Sequence, residues 1–487
     1  MNRDLILILD FGGNQAYYTA RKLRGEQFYC EILPADTPAE EIAARSPRGI
    51  LMAGGESADA PVQLACHAED MNIPILALGK SSQIVAEDVG AESLGPQLSG
   101  SKESVQFSSC ALFESLSESD RFFDCINGYN LPEGYAPIAS TPSGLTAAFG
   151  NPARNIYCLQ FYVESNDPDG LMILQNFAER ICGCARSWTV ENIASQLIDD
   201  ARAELENAKV LMPVSSSADT AVTAAILSRA IGNRLTCLYI DTGLHSMGDA
   251  ERIKRTYADQ MKLNLVIVNA EERFLKALRG VSDPAQKRAL LANEFSAAFI
   301  EEYIHTGDSD CVALGTIYPD VLRKRPQALS GLIDGCRRYT PLQYLFKEDV
   351  RMVGRYLGVP DELLTRMSFS NTGLAVRCLG EVTAERLSIL RHADAIYCEE
   401  IEKAGYSRKI AQYFAVLTDI TTPGCHGTGY VCALRALGAS NAGKAPAYKL
   451  PYDLMEAIVT RITSEVPQIN HVVYDITGRP TAAVEWE

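Results

Sequence analysis

The chain has 487 residues, enough for two to four domains with cores of their own, and its 47% hydrophobic and 22% charged residues are the balance of an ordinary globular protein. Its 45 Lys and Arg against 61 Asp and Glu leave a net charge of −16, which argues against a nucleic-acid or anionic-membrane surface yet leaves room for a local basic cluster around a mononucleotide. No apolar stretch reaches bilayer length, and the 14 cysteines form no C-x-x-C pair and one C-x-C, Cys182-Gly-Cys184, a pattern of reduced cytoplasmic thiols rather than of zinc or disulfides.

The N-terminus runs Met1-Asn-Arg-Asp into a five-residue apolar strand ended by Asp10, too short and too acidic for a signal peptide. Short apolar strands at 5–9, 49–52, 74–78 and 156–161 alternate with helical or loop segments, which predicts an α/β domain. In Pro74-Ile-Leu-Ala-Leu-Gly-Lys-Ser-Ser-Gln83 a buried strand runs into a sharp turn and a helix, the form of a nucleophile elbow, but its tip is Gly79, which carries no side chain. A second apolar strand, Ile156-Tyr-Cys-Leu-Gln-Phe-Tyr-Val-Glu-Ser165, is placed to supply a base.

These two segments resemble class I glutamine amidotransferases, and the GMP synthetase family in particular, whose elbow reads roughly G-I-C-Y-G-M-Q and whose second strand reads Q-F-H-P-E. The resemblance puts the nucleophilic cysteine on Gly79, the histidine base on Tyr162 and the orienting glutamate on Glu164. Neither glycine nor tyrosine replaces a thiolate and an imidazole at pH 7, so the expectation is an inactive glutaminase. Cys66-His67 is the only adjacent Cys-His pair nearby, in an expected surface helix, and is a weak substitute. Gly54 and Gly55, where the family builds its oxyanion hole, remain, and serve equally as a tight turn.

The segment at 181–189, with Cys182-Gly-Cys184 and Trp188-Thr189, matches the family's junction, and Thr189 opens an amphipathic helix. Strands follow at 209–214, 235–240, 263–268 and 311–315. After the first comes Ser215-Ser-Ser-Ala-Asp-Thr220 and a helix over 221–230, an arrangement whose unpaired N–H groups suit an anion. A serine-rich helix cap is the competing reading of the same residues. The resemblance to ATP pyrophosphatases, which carry S-G-G-V-D-S here, implies ATP binding by Ser215, Ser216, Ser217, Asp219 and Thr220, with Asp219 on magnesium. Were Ser216 or Ser217 to sit at positive φ, each would cost on the order of 1 kcal/mol relative to the family's glycines.

Leu238-Tyr-Ile-Asp-Thr-Gly243 resembles the family strand that contacts adenosine, which implies Asp241 and Gly243. Gly315-Thr-Ile-Tyr-Pro-Asp-Val321 is nearly intact, which adds Gly315 and Asp320. Leu345-Phe-Lys-Glu-Asp-Val350 keeps Lys347, which the resemblance implies as a substrate-binding residue, and swaps the two acids. The family's H-H-N-V-G-G-L lid is replaced by a shorter segment at 323–334 that begins Arg323-Lys-Arg325; the basic triplet is a candidate phosphate contact, with a solvated loop the blander reading.

From about residue 371 the chain is expected to end in two strands, 472–475 and 482–486. Tyr474-Asp-Ile-Thr-Gly-Arg-Pro-Thr-Ala-Ala-Val-Glu-Trp-Glu487 resembles the family terminus Y-D-I-T-S-K-P-P-A-T-I-E-W-E, which implies a homodimer and contact of Arg479 and Glu485 with xanthosine monophosphate (XMP). Arg435 matches the arginine of the family's A-L-R, which implies a further substrate-binding residue, while His426 stands at another family arginine and 368–374 replaces P-F-P-G-P-G-L. The implied organisation is an α/β class I glutamine amidotransferase-like domain over 1–185, an ATP pyrophosphatase domain of the adenine nucleotide alpha hydrolase type over 186–370, and a C-terminal α+β dimerisation domain over 371–487. The implied activity is ATP- and Mg2+-dependent adenylation of a nucleobase oxygen of XMP followed by amination, with ammonia drawn from solution or from a separate glutaminase. A catalytically degenerate, regulatory nucleotide binder is the alternative, because departures fall on catalytic positions while framework positions hold.

Overall fold

The computed structural model describes residues 4–55, 70, 72–163, 167–307, 309–322, 336–367, 372–424, 427–439 and 445–486. The chain divides into two compact units, Met1–Ile193 and Ala194–Glu487.

The first unit is built on a nine-stranded sheet. Its parallel half runs Cys30–Pro34, Ile6–Phe11, Gly49–Gly54, Ile75–Leu78, Ile156–Leu159 across the sheet. Four of them are the apolar runs expected from the sequence, buried along almost their whole length because helices cover a parallel sheet, whereas Cys30–Pro34 was not expected and is buried only in part. Beyond Ile156–Leu159 the sheet turns antiparallel through Thr146–Asn151, Ala136–Ser140, Glu92–Phe107 and Glu118–Asn130. Glu92–Phe107 is exposed along most of its length, so it offers no alternating apolar signal to find it by. Packing of Leu7, Leu9, Ile50, Met52, Ile75 and Val85 forms the core under the parallel half.

The second unit begins with a five-stranded parallel sheet in the order Asn264–Asn269, Leu235–Asp241, Val210–Pro213, Cys311–Ala313, Arg337–Tyr339. The chain starts at the central strand, adds two strands on one side and then crosses to the other. The strand order therefore reverses between Val210–Pro213 and Cys311–Ala313, and at such a reversal a crevice opens beyond the carboxyl ends of the strands. The loop at 215–220 and Gly315 both lie there.

The rest of the unit is a hairpin of Gln412–Gly424 and Gly427–Leu437, with Ile469–Asp475 added parallel to its second strand and helices Ala384–Lys403 and Tyr452–Glu465 packed on it. One continuous apolar core joins Leu211, Leu238 and Phe274 to Leu390, Leu434 and Ile462, so these two sheets are not separated by a solvated seam. The expected strand at 472–475 is present, but that at 482–486 is not: these residues form turns. The carbonyls of Ala483 and Val484 accept from the Arg435 guanidinium instead of a neighbouring strand, and Trp486 sits at φ +70°. Among the described residues no helix is long and apolar enough to cross a membrane.

Candidate functional site

In the first unit, Ile75–Leu78 passes through Gly79 and Lys80 into the helix Ser81–Asp88. Gly79 has φ +59°, the left-handed geometry that an elbow requires, and it is buried. Its N–H faces the carbonyls of Leu159 and Phe161 at 2.8 and 3.1 Å, which draws the end of the neighbouring strand onto the turn. Ser81 Oγ accepts from Leu78 N–H at 3.1 Å and donates to Met52 O at 2.8 Å, tying the elbow to the Gly49–Gly54 strand.

The elbow is thus intact as backbone, and Tyr162 fills it. The Tyr162 hydroxyl accepts from the Lys80 N–H and donates to Gly54 O, both at 3.1 Å. A Cβ added at Gly79 would lie 2.1 Å from Tyr162 Cζ. Cys158, on the adjacent strand, is fully buried, and burial pushes its thiol far above the usual range, so it offers no thiolate. Glu164, Cys66 and His67 lie outside the described residues.

In the second unit, Val210–Pro213 leads through the serine loop into the helix Ala218–Ile231. Ser217 is the N-cap, at φ −83° and ψ 149°, its hydroxyl accepting from Thr220 N–H at 3.3 Å. Neither Ser216 nor Ser217 adopts positive φ, so the expected backbone cost of replacing glycine does not arise. Ser217 thus caps the helix, which leaves the anion-binding reading of the loop open. Tyr257, buried, donates to Ser215 O at 2.9 Å and lies 3.2 Å from Thr220 Oγ1, bracing the loop from beneath. The N–H groups of Ser216, Ala218 and Asp219 make no hydrogen bond among the described residues, which leaves three donors at a 14-residue helix N-terminus.

Gly315 closes the other wall: a Cβ there would lie 3.2 Å from both the Asp219 carbonyl carbon and the Thr220 nitrogen. Asp219 is largely buried, and that burial raises its carboxyl to about 6; Lys347 and Arg351 pull it down while the nearby Asp320 charge pushes it up. Asp320 also accepts from Ile317 N–H at 3.3 Å. Lys347 is exposed at the start of the helix Lys347–Tyr356, and the transposed acid Asp349 is buried, accepting from Phe346 N–H at 3.0 Å as a cap. Asp241 ends its strand and accepts from Gly243 N–H at 3.0 Å; Gly243 needs its φ of +67° and its missing Cβ, which would meet Glu271 Cγ at 2.3 Å. The crevice thus collects Ser215, Ser216, Ser217, Asp219, Thr220, Gly315 and Asp320 around one helix end. The segment at 323–334, with its basic triplet, lies outside the described residues.

This donor set fits a phosphate chain and a magnesium ion. Free N–H groups suit phosphate oxygens, and two neighbouring carboxylates, Asp219 and Asp320, are the protein share that Mg2+ takes when phosphates and water supply the rest. No group of three or more His, Cys, Asp or Glu among the described residues could hold a metal by itself.

Comparison with known proteins gives the lineage. The class I glutamine amidotransferase profile matches residues 7–181, and the GMP synthase C terminal domain profile matches residues 399–486. The chain is 37% identical over 512 positions to a glutamine-hydrolysing GMP synthase of Symbiobacterium thermophilum, covering 100% of this chain and 99% of the relative. A second such enzyme, from Acetivibrio thermocellus, is 38% identical over 514 positions with both chains fully covered. This chain belongs to the GMP synthase family. Both alignments are longer than its 487 residues, so it is gapped against these GMP synthases. A crystal structure from Thermoplasma acidophilum, described as that of a GMP synthase subunit, is also similar, at 25% identity and TM-score 0.33, over 37% of this chain and 94% of that one.

Within the GMP synthase C-terminal region the three candidate ligand residues are placed differently from one another. Arg435 is fully buried and donates to the carbonyls of Ala483, Val484 and Thr477 at 2.5, 3.1 and 3.0 Å, with Asp475 at 3.4 Å. It clamps the C-terminal segment through these carbonyls. Glu485 lies 3.7 Å from Arg377, a fully buried arginine stacked 4.8 Å from the Phe414 ring and 3.7 Å from Asp394. Arg479 is exposed, its N–H bonded to Ala445 O at 2.8 Å. Sequence reasoning passed over Arg377, although a charge inside the apolar run Gly373-Leu-Ala-Val-Arg-Cys-Leu379 was the available signal.

Proposed function

We propose that this GMP synthase family member is an ATP-dependent ligase that activates a nucleobase oxygen of a purine mononucleotide, XMP, and aminates it with ammonia rather than glutamine. The three free N–H groups beside Asp219 and Asp320 carry the reading, together with the family's full-length match. In this proposal the functional regions are 1–185, inactive as a glutaminase, 186–370 for ATP, and 371–487 for the acceptor and for dimerisation.

Magnesium, when bound, neutralises phosphate charge and helps pyrophosphate leave. The N–H groups of Ser216, Ala218 and Asp219 hold the departing phosphates, and Ser217 fixes the helix end that carries them. Asp219 and Asp320 would hold the metal as carboxylates, and its charge would lower the raised carboxyl of Asp219 by favouring the charged form. Lys347 adds a positive charge near the same phosphates. Ammonia comes from solution or from a partner glutaminase and displaces AMP from the activated base.

A second reading, a nucleotide-binding regulator without turnover, is favoured by one observation: of the three C-terminal candidates, Arg435 is buried and Glu485 is set against Arg377. Pyrophosphate release from Mg-ATP, measured with ammonium over a panel of purine mononucleotides, separates the two. Release stimulated by XMP supports the ligase. A Mg-ATP thermal shift without release from any of them supports the regulator.

A further inference from the structure

We propose that Tyr162 is a built-in plug that excludes glutamine from the elbow pocket by occupying the place and the hydrogen bonds of an acyl ligand. The proposal rests on the reading that this unit does not hydrolyse glutamine, and it goes further: the pocket is closed to binding as well as to chemistry.

In an elbow, the backbone N–H of the residue after the nucleophile holds the oxygen that becomes an oxyanion. Here that residue is Lys80, and its N–H already donates to Tyr162 Oη at 3.1 Å. The same hydroxyl donates to Gly54 O at 3.1 Å, so one tyrosine satisfies a donor and an acceptor that an amide substrate would otherwise meet. Its ring takes the remaining space. The three atoms that a Cβ at Gly79 would strike first, Cζ, Cε1 and Cε2 at 2.1, 2.2 and 2.5 Å, all belong to Tyr162. Van der Waals contact between carbons is about 3.5 to 4 Å, so ring and side chain cannot coexist there.

The loss of the nucleophile and the gain of the tyrosine are therefore one change in packing terms. Removing the side chain at 79 opens the room that the ring of Tyr162 fills. Gly55 packs closely on the same wall: a Cβ there would lie 2.6 Å from Lys80 Cβ, so the turn carrying Gly54 O lies against the elbow.

The test is calorimetric titration of the full chain with L-glutamine, together with hydrogen exchange at the Lys80 amide. Wild type is expected to show no glutamine heat. Tyr162→Ala, which removes ring and hydroxyl, is expected to bind glutamine at millimolar concentration. Tyr162→Phe is expected to stay closed to glutamine while the Lys80 amide, having lost its acceptor, exchanges faster. Glutamine binding by wild type as tight as by Tyr162→Ala overturns the plug, as does a Lys80 amide whose exchange is unchanged in Tyr162→Phe. Glutamate release by the wild type overturns the ammonia reading itself. A folded Tyr162→Ala that gives no heat, with no glutamate release from wild type, overturns the plug alone.

Discussion

The ring of Tyr162 stands where a side chain on residue 79 would have to go, with Tyr162 Cζ 2.1 Å from the position of a Cβ at Gly79. Gly79→Cys is therefore expected to destabilise the protein rather than to restore a nucleophile harmlessly. A side chain at φ +59° costs on the order of 1 kcal/mol, and overpacking a filled site adds about 1–3 kcal/mol. In urea unfolding, Tyr162→Ala in the same chain should recover most of the overpacking part. Strictly additive effects of the two changes would show that the residues do not share the space.

Asp219→Asn should abolish most of the thermal stabilisation by Mg-ATP, which for a ligand at one hundred times its dissociation constant is about 2.7 kcal/mol. The ligand-free protein should respond in the opposite sense. Burial holds the Asp219 carboxyl at about 6 against 3.8, so the folded state holds its proton more tightly than the unfolded state does. Stability from this group is complete below 3.8 and is lost as pH rises through about 6. The asparagine variant should thus match wild type near pH 4 and exceed it at pH 8, and a melting series across that range reads the difference.

Ser217→Ala should cost about 1 kcal/mol by removing the cap on Thr220 N–H, whereas Ser217→Gly should cost only a few tenths. Because Ser216 and Ser217 avoid positive φ, changing both to glycine should tighten Mg-ATP only if their side chains crowd the phosphates. Equal affinity for the glycine variant would show that the serine loop is already well shaped.

Arg435→Met should lower stability by about 3–5 kcal/mol, because it leaves Asp475 and the carbonyls of Thr477, Ala483 and Val484 without their cation. Hydrogen exchange should accelerate over 476–486 while Mg-ATP still shifts the melting point. A variant of undiminished stability that has lost nucleotide binding would return Arg435 to a ligand role.

Ile469–Asp475 is the outer strand of its three-stranded sheet, with Val473 at 44% exposure, and Ile476 beyond it at 79%. An apolar outer strand invites pairing with a second copy, so light scattering should report about twice the 53.1 kDa chain mass. Val473→Lys should shift that value toward the single chain. A wild type that scatters as a single chain would place the dimer elsewhere or exclude it.

Legible from the sequence alone were four of the five parallel strands in each α/β sheet, the elbow with its glycine tip and the helix that starts at the serine loop. Each is local: an apolar run bounded by turn residues, or a side chain one turn from the N–H it caps. What it left undetermined depends on residues far apart in the chain. Polar antiparallel strands such as Glu92–Phe107 exist because a partner strand supplies their hydrogen bonds, and nothing in their own pattern announces it. The segment at 482–486 carries strand-forming residues, yet its carbonyls go to an arginine some fifty positions earlier. Tyr162 reads as a lost histidine until the fold sets its hydroxyl between Lys80 and Gly54, because whether a pocket is empty or filled is a property of packing in three dimensions.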